Sequence, residues 1–139
     1  MADEKFTSVG LRTLITPDGE LFLTLEEEVI GDLSPDEVVI RVEASSMNPT
    51  DIGLLLGPAD LSGLAAFSQN GRPGLRASIP PEQMVSVDLQ PRIGKSLPVG
   101  TEGAGTVVAA GGEAAAVNRE KVSARGGGRG APVLPLYAP

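Results

Sequence analysis

Glycine and proline interrupt this chain along its whole length, and they limit its possible folds more than any other feature. Its 139 residues include 18 glycines and 12 prolines, together more than a fifth of the sequence. Because no collagen-like period is present, this content predicts many turns and short strands rather than a helical bundle. Hydrophobic residues at 41% suffice for a core, whereas aromatic residues make up only 3%. We therefore expect a core of Leu, Val, Ile and Ala.

The first 44 residues contain three predicted strands. The β-prone runs Leu11–Thr16 and Glu20–Leu25 flank Pro17-Asp-Gly19, whose residue types favour a tight turn, so a hairpin is expected. Asp32–Asp36 has the composition of a loop. The alternating run Glu37–Ala44 is the clearest strand, with its valines and isoleucine divided between two faces.

The remainder of the chain predicts one short helix and further strands. Pro49 can begin a helix with Asn48 as its N-cap, and that helix should end near Leu56 and pack against protein. Residues 57–95 show no clean period and are expected to be loops with one or two short elements, near Glu82–Leu89. Strands are also expected within Val99–Gly112 and Lys121–Ala124. The predicted fold class is mainly β, a partly open barrel with one short helix.

Charge and residue usage exclude several classes of function. The net charge is −7, and residues 1–60 alone carry 13 acids and 3 bases, so nucleic-acid binding is not expected. The chain has no Cys and no His, which removes the usual zinc ligands and any Ser-His-Asp or Cys-His device. No apolar run approaches the length of a membrane span, and the first residues lack the pattern of a signal peptide. A cytoplasmic protein without membrane contact is expected.

Two segments carry functional information. The first is Ser45-Ser-Met-Asn-Pro-Thr-Asp51, directly after the clearest strand, and it is also explained by a capped helix start. The second is Gly100-Thr-Glu-Gly-Ala-Gly105. A dinucleotide fingerprint requires a strand, then glycines, then a helix, whereas here the strand follows the glycines. This segment is therefore not a nucleotide site.

Together the two segments resemble the GroES-like N-terminal domain of the medium-chain dehydrogenase/reductase superfamily, over about residues 9–117. The resemblance implies a GroES-like domain over residues 1–125, a flexible Gly- and Pro-rich tail over residues 126–139, and a Rossmann domain that this chain does not contain. In the zinc alcohol dehydrogenases of this family a Cys ligand stands where Asn48 stands here, and a His ligand where Thr101 stands. The resemblance therefore implies the zinc-free branch of quinone and enoyl reductases, and no bound metal.

The same resemblance implies a function and a set of site residues. The chain would be the substrate-side domain of an NAD(P)H-dependent oxidoreductase that reduces an activated C=C or C=O. It would be inactive alone, and would take its cofactor and its carbonyl or enoyl substrate only in the full enzyme. Asn48 and Thr101 are the catalytic candidates, and Asn48 and Asp51 the cofactor-binding ones. Asn48 is also explained as an N-cap, and one residue can fill both roles. Thr101 is also explained as a turn residue, and Asp51 is favoured as a structural acceptor over a proton donor.

Two further expectations concern partners. A non-enzymatic GroES-like module that binds a partner protein is the alternative function. In addition, a domain without its nucleotide-binding half would expose one wall of the active-site cleft, and an exposed apolar patch favours a weak homodimer. The residues expected on that wall are Met47, Asn48, Ile52, Leu55, Thr101 and Ala104.

Overall fold

A computed structural model of the chain describes residues 6–35, 37–100 and 102–112, together with the backbone of residues 121–125. Strands account for 54% and helices for 15%, the sheets are antiparallel, and the described residues form no closed barrel. The mainly β class predicted from the glycine and proline content is therefore confirmed.

The first two strands form the expected hairpin. Strand β1 spans Phe6–Ile15 and β2 spans Glu20–Ile30, and they are neighbours in one sheet. Gly19 adopts a φ of 83°, which favours glycine, and the Thr16 N–H donates to the Glu20 carbonyl at 2.9 Å. Both strands extend well beyond the predicted runs at the ends away from the turn.

A second sheet holds the most regular strand of the sequence. Strand β3 spans Val38–Ala44 and lies at one edge of a three-stranded sheet, next to a strand at Glu102–Ala110, which pairs on its other side with one at Lys121–Arg125. All three were expected. Val39 is the most buried side chain of β3, and the register shifts between Val39 and Ile40.

The region predicted as loops instead contains a long hairpin, so that prediction is wrong. Strand β4 spans Asp60–Gln69 and β5 spans Arg72–Ser78. The turn between them has a φ of 52° at Asn70 and 75° at Gly71. Positive φ at both central residues is the geometry in which Asn-Gly joins two strands of a hairpin. The Asn-Gly pair is a sequence signal for a hairpin turn. It was missed because the flanking residues show no clean alternation of apolar and polar side chains.

Short elements complete the chain. Helix α1 spans Pro49–Leu56, with the bounds expected from the sequence. Helix α2 spans Pro81–Met84, and a 3-10 helix spans Gln90–Arg92, so the element expected near Glu82–Leu89 is shorter and starts earlier. Strand β6 spans Leu97–Pro98, and the strands at Glu102–Ala110 and Lys121–Arg125 are β7 and β8. The larger sheet has the order β4-β5-β2-β1-β6.

The core is aliphatic, as expected from the scarcity of aromatic residues. Its central cluster consists of Ile15, Leu21, Ile79 and Leu89. The residues that pack around this cluster are Leu56, Ala59, Met84 and Ile93. Leu56 thus anchors the end of α1, whereas Leu54 is 39% exposed, so the expected packing of the helix holds for only part of it.

The described residues divide into two compact units. One consists of the described parts of Met1–Gly10, Glu27–Ser46 and Gly100–Pro139, and the other of Leu11–Glu26 and Met47–Val99. The aliphatic cluster belongs to the second unit. The expected tail over residues 126–139 lies outside the described residues. Within the described ranges, neither helix has the length and apolar character needed to cross a bilayer.

Candidate functional site

The first motif forms the start of helix α1. Asn48 occupies the N-cap with an extended backbone (φ −96°, ψ 156°), and Pro49 is the first helical residue. The Asn48 carbonyl accepts from the N–H groups of Asp51 at 2.9 Å and Ile52 at 3.3 Å. Proline suits this position because its missing N–H would have no partner within the helix. The structural interpretation of Asn48 is therefore confirmed, and a second role for its side chain remains open.

Asp51 is the buried polar group of this helix start. Its side chain is 4% exposed, and Oδ2 accepts from the Asn48 backbone N–H at 2.8 Å. This half of the arrangement is that of a capping box, which satisfies a donor that the helix leaves unpaired. The other carboxylate oxygen, Oδ1, is buried and has no hydrogen-bond partner among the described residues. Because an unsatisfied buried acceptor is costly, Oδ1 is suited to accept a bond from a donor that binds here.

The second motif forms the first half of strand β7. Gly103 and Gly105 are buried within this strand and Gly100 precedes it, so the expected order of glycines followed by a strand holds only for Gly100. A Cβ on Gly105 would collide with the carbonyl oxygen of Arg41 on β3, so only glycine permits this close approach. Gly105 thus serves strand pairing.

The pairing of β3 with β7 connects the two motifs. Ala44 lies opposite Ala104, and the Ser45 hydroxyl donates to the Glu102 carbonyl at 3.0 Å. Ser45 is the first residue of the first motif, and Glu102 belongs to the second. Thr101, the other catalytic candidate, lies outside the described residues. Of the predicted site residues, Asn48 and Asp51 are therefore the two that the structure brings together.

The residues expected on an exposed wall are partly accessible. Met47 is 74% exposed and Ile52 is 48% exposed. Ala104 is also exposed, while Asn48 and Leu55 are half-buried. Thr101, also expected there, lies outside the described residues. The wall and association through it both stay predictions.

Arg92 is a charged neighbour of α1 that the sequence did not single out. Its guanidinium donates to the Leu54 carbonyl at 2.5 Å, at the end of the helix where carbonyls lack intrahelical partners. Burial lowers the pKa of Arg92 from its usual value, and its Nε is buried without a partner in the described part of the chain. The hydrogen bond joins Arg92 to Leu54, which lies 38 positions earlier in the sequence, so no local sequence pattern could have indicated this contact.

The described residues contain no cluster of three or more His, Cys, Asp or Glu side chains that could hold a metal ion. The expected zinc-free character remains a prediction. No family model and no curated protein sequence matches the chain.

Proposed function

We propose that this chain is the GroES-like, substrate-side domain of a cytoplasmic NAD(P)H-dependent oxidoreductase, in the zinc-free, quinone oxidoreductase-like branch of the medium-chain dehydrogenases/reductases. Its substrates are quinones or enones, which carry an already polarised C=C or C=O. It works only beside a nucleotide-binding domain. The observation that carries the proposal is the hydrogen bond from Ser45 to Glu102, because it joins the two motifs on which the resemblance depends.

The helix start supplies polar groups suited to a nicotinamide. The buried Oδ1 of Asp51 has no hydrogen-bond donor within the described part of the chain, and the cofactor's carboxamide carries N–H donors. The Asn48 amide can both donate and accept, so it can orient either that carboxamide or the substrate carbonyl. Bound NAD(P)H supplies the hydride. In this proposal the Thr101 hydroxyl hydrogen-bonds the substrate oxygen on which negative charge develops.

A fusion protein tests the proposal. Residues 1–125 are placed before the Rossmann domain of a zinc-free quinone oxidoreductase, and NADPH oxidation is measured with p-benzoquinone and with a 2-alkenal. The fusion should oxidise NADPH, and the chain alone should not. Asn48→Ser keeps an N-cap side chain but removes the amide, so it should lower kcat/KM by about tenfold, the loss of roughly one hydrogen bond.

Gln83→Ser is the matched control, because it removes an exposed amide from α2 and should leave kcat/KM unchanged. A folded fusion that binds NADPH but reduces neither substrate would contradict the proposal and favour the protein-binding module. Equal activity of Asn48→Ser and the parent fusion would remove Asn48 from the site.

A further inference from the structure

We propose that Asn70 is a site of spontaneous modification in the folded chain: the Gly71 main-chain nitrogen attacks the Asn70 side-chain amide, and Asn70 becomes Asp or isoaspartate. The site is the turn between β4 and β5, which contains neither motif, so this proposal does not depend on the oxidoreductase proposal. The reaction needs no bound ligand, because both reacting groups belong to adjacent residues and the co-reactant is water.

The reaction balances with water as its co-reactant. The Gly71 nitrogen loses its proton and bonds to Cγ of Asn70, while the side-chain nitrogen leaves with a proton as ammonia. This closes a succinimide ring, whose nitrogen is bonded both to Cγ and to the main-chain carbonyl carbon of Asn70. Water then opens one of these bonds: cleavage at Cγ gives Asp, and cleavage at the main-chain carbon gives isoaspartate. No group is oxidised or reduced, and a neutral amide becomes a carboxylate.

The structure leaves the attacking nitrogen accessible. Asn70 and Gly71 are both exposed, and a Cβ on Gly71 would meet nothing within 4 Å. Gln69 and Arg72 flank the turn and pair with each other, so the Gly71 N–H lies outside the ladder of the hairpin. It donates to no main-chain carbonyl within the described part of the chain. Attack on the Asn70 side chain therefore requires no hydrogen bond to open first.

The turn between β1 and β2 has the opposite arrangement. Asp18 precedes Gly19 there, and Asp forms the same ring with loss of water, so isoaspartate is a possible product. Gly19, however, is buried, its N–H donates to the Thr16 carbonyl at 3.1 Å, and a Cβ on it would lie 3.5 Å from the Ile79 carbonyl oxygen. This turn is closed where the Asn70-Gly71 turn is open, so it serves as an internal reference.

The two products differ in their effect on the hairpin. Asn70 has a φ of 52°, a region that Asp tolerates as Asn does, so the Asp product keeps the turn. Isoaspartate instead carries the main chain through its side-chain carbon and lengthens a loop whose length sets the register of the two strands. Each product adds a negative charge beside Arg72 to a chain of net charge −7. Isoaspartate at position 70 should therefore loosen the end of the hairpin.

Peptide mass spectrometry of the whole chain, aged in mildly alkaline buffer with and without guanidinium chloride, tests the proposal. Because no hydrogen bond must open first, the folded chain should lose Asn70 at a rate within about tenfold of the unfolded rate. The Gly19 amide is hydrogen-bonded, so isoaspartate at Asp18 should form at least about tenfold more slowly in the folded chain than in the unfolded one. Asn48 is the control that should not change, because Pro49 has no N–H to lose.

Two variants check the chemistry and its effect on the hairpin. Gly71→Ala places a methyl group beside the attacking nitrogen and should slow the loss of Asn70 by about tenfold in guanidinium chloride, where the fold plays no part. Asn70→Asp is the standard for the Asp product, and its Phe67 and Gln69 amides should exchange with solvent as in the wild type. In the separated isoaspartate form, the same two amides should exchange faster.

Three results would overturn the proposal. The first is loss of Asn70 in guanidinium chloride but not in the folded chain, since the turn would then protect the residue. The second is equal protection of Asn70 and Asp18 by the fold, because the open and closed turns would then not differ. The third is a Gly71→Ala chain that loses Asn70 as fast as the wild type in guanidinium chloride, which would exclude the Gly71 nitrogen as the attacking group.

Discussion

Asp51 stabilises the start of α1 with one carboxylate oxygen, while the other has no hydrogen-bond partner among the residues that the structure describes. Because Oδ2 accepts from the Asn48 N–H in a nearly buried place, Asp51→Ala should leave that donor unsatisfied. We expect the free energy of unfolding to fall by about 1–3 kcal/mol. Urea denaturation measures it as a lower transition midpoint at unchanged slope.

Asp60→Ala is the control for this prediction. The Asp60 carboxylate also accepts from a backbone N–H, that of Ser62 at 2.9 Å, but it is exposed, so water can replace it. Its removal should leave the midpoint nearly unchanged. If both substitutions had the same effect, burial would not be what makes the Asp51 bond matter.

Substitution of glycine by alanine should change the free energy of unfolding in opposite directions at two positions, Gly105 and Gly53. A methyl group on Gly105 would meet the Arg41 carbonyl, so Gly105→Ala should lower the free energy of unfolding by about 1–3 kcal/mol. A methyl group on Gly53, inside α1, would meet nothing within 4 Å. Gly53→Ala should therefore raise that free energy by about 0.5–1 kcal/mol, because alanine restricts the unfolded chain and favours the helix. Thermal unfolding of the two variants should shift in opposite directions.

At the scale of elements, local chemistry predicted some features and tertiary pairing determined others. The Pro17–Gly19 turn, the Glu37–Ala44 strand and the helix start at Asn48 each carry their signal within a few residues, and the structure has all three. The β4–β5 hairpin was missed because β4 is largely exposed and its residues Asp60–Gln69 show no apolar alternation. Its second strand is stabilised by pairing with β2, whose sequence lies about fifty residues earlier.

The Asn70-Gly71 turn should control the stability of this hairpin. Gly71 has a φ of 75°, where a Cβ is unfavourable, so Gly71→Ala should destabilise the hairpin by roughly 1–2 kcal/mol. In the hairpin register the amides of Phe67 and Gln69 face β5. These amides should then exchange faster with solvent, while the amides of β3 should not. Asn70→Gly is the control, because glycine accepts the 52° φ found there. Equal exchange in Gly71→Ala and wild type would show that the turn does not limit opening.

At the scale of the whole molecule, composition predicted the class of fold, and the motifs predicted part of the site. The glycine and proline content led to a mainly β chain, and the scarcity of aromatics to an aliphatic core. Asn48 and Asp51 are close together because they belong to one helical turn, which spacing alone indicates. The contact of Ser45 with Glu102 spans 57 positions, and only the register of β3 with β7 creates it. Sequence spacing carries no information about such a contact.

The order of elements predicts that the chain alone does not bind NADPH. The glycines of Gly100–Gly105 lead into strand β7 or lie within it and open no helix, whereas the loop that places N–H groups around a pyrophosphate follows a strand and opens a helix. Helix α1 begins at Pro49, which has no N–H, and carries the Asp51 carboxylate in its first turn, where it disfavours a second anion. The chain's charge of −7 acts in the same direction.

Titration of NADPH fluorescence with the chain measures NADPH binding directly. The protein background is small because the chain has no Trp and one Tyr. We expect no saturation below about 1 mM, a binding free energy weaker than roughly −4 kcal/mol. The fusion with a Rossmann domain is the positive control and should saturate under the same conditions. Micromolar binding by the chain alone would place a nucleotide site within these 139 residues and contradict the proposed division of labour between the two halves of the enzyme.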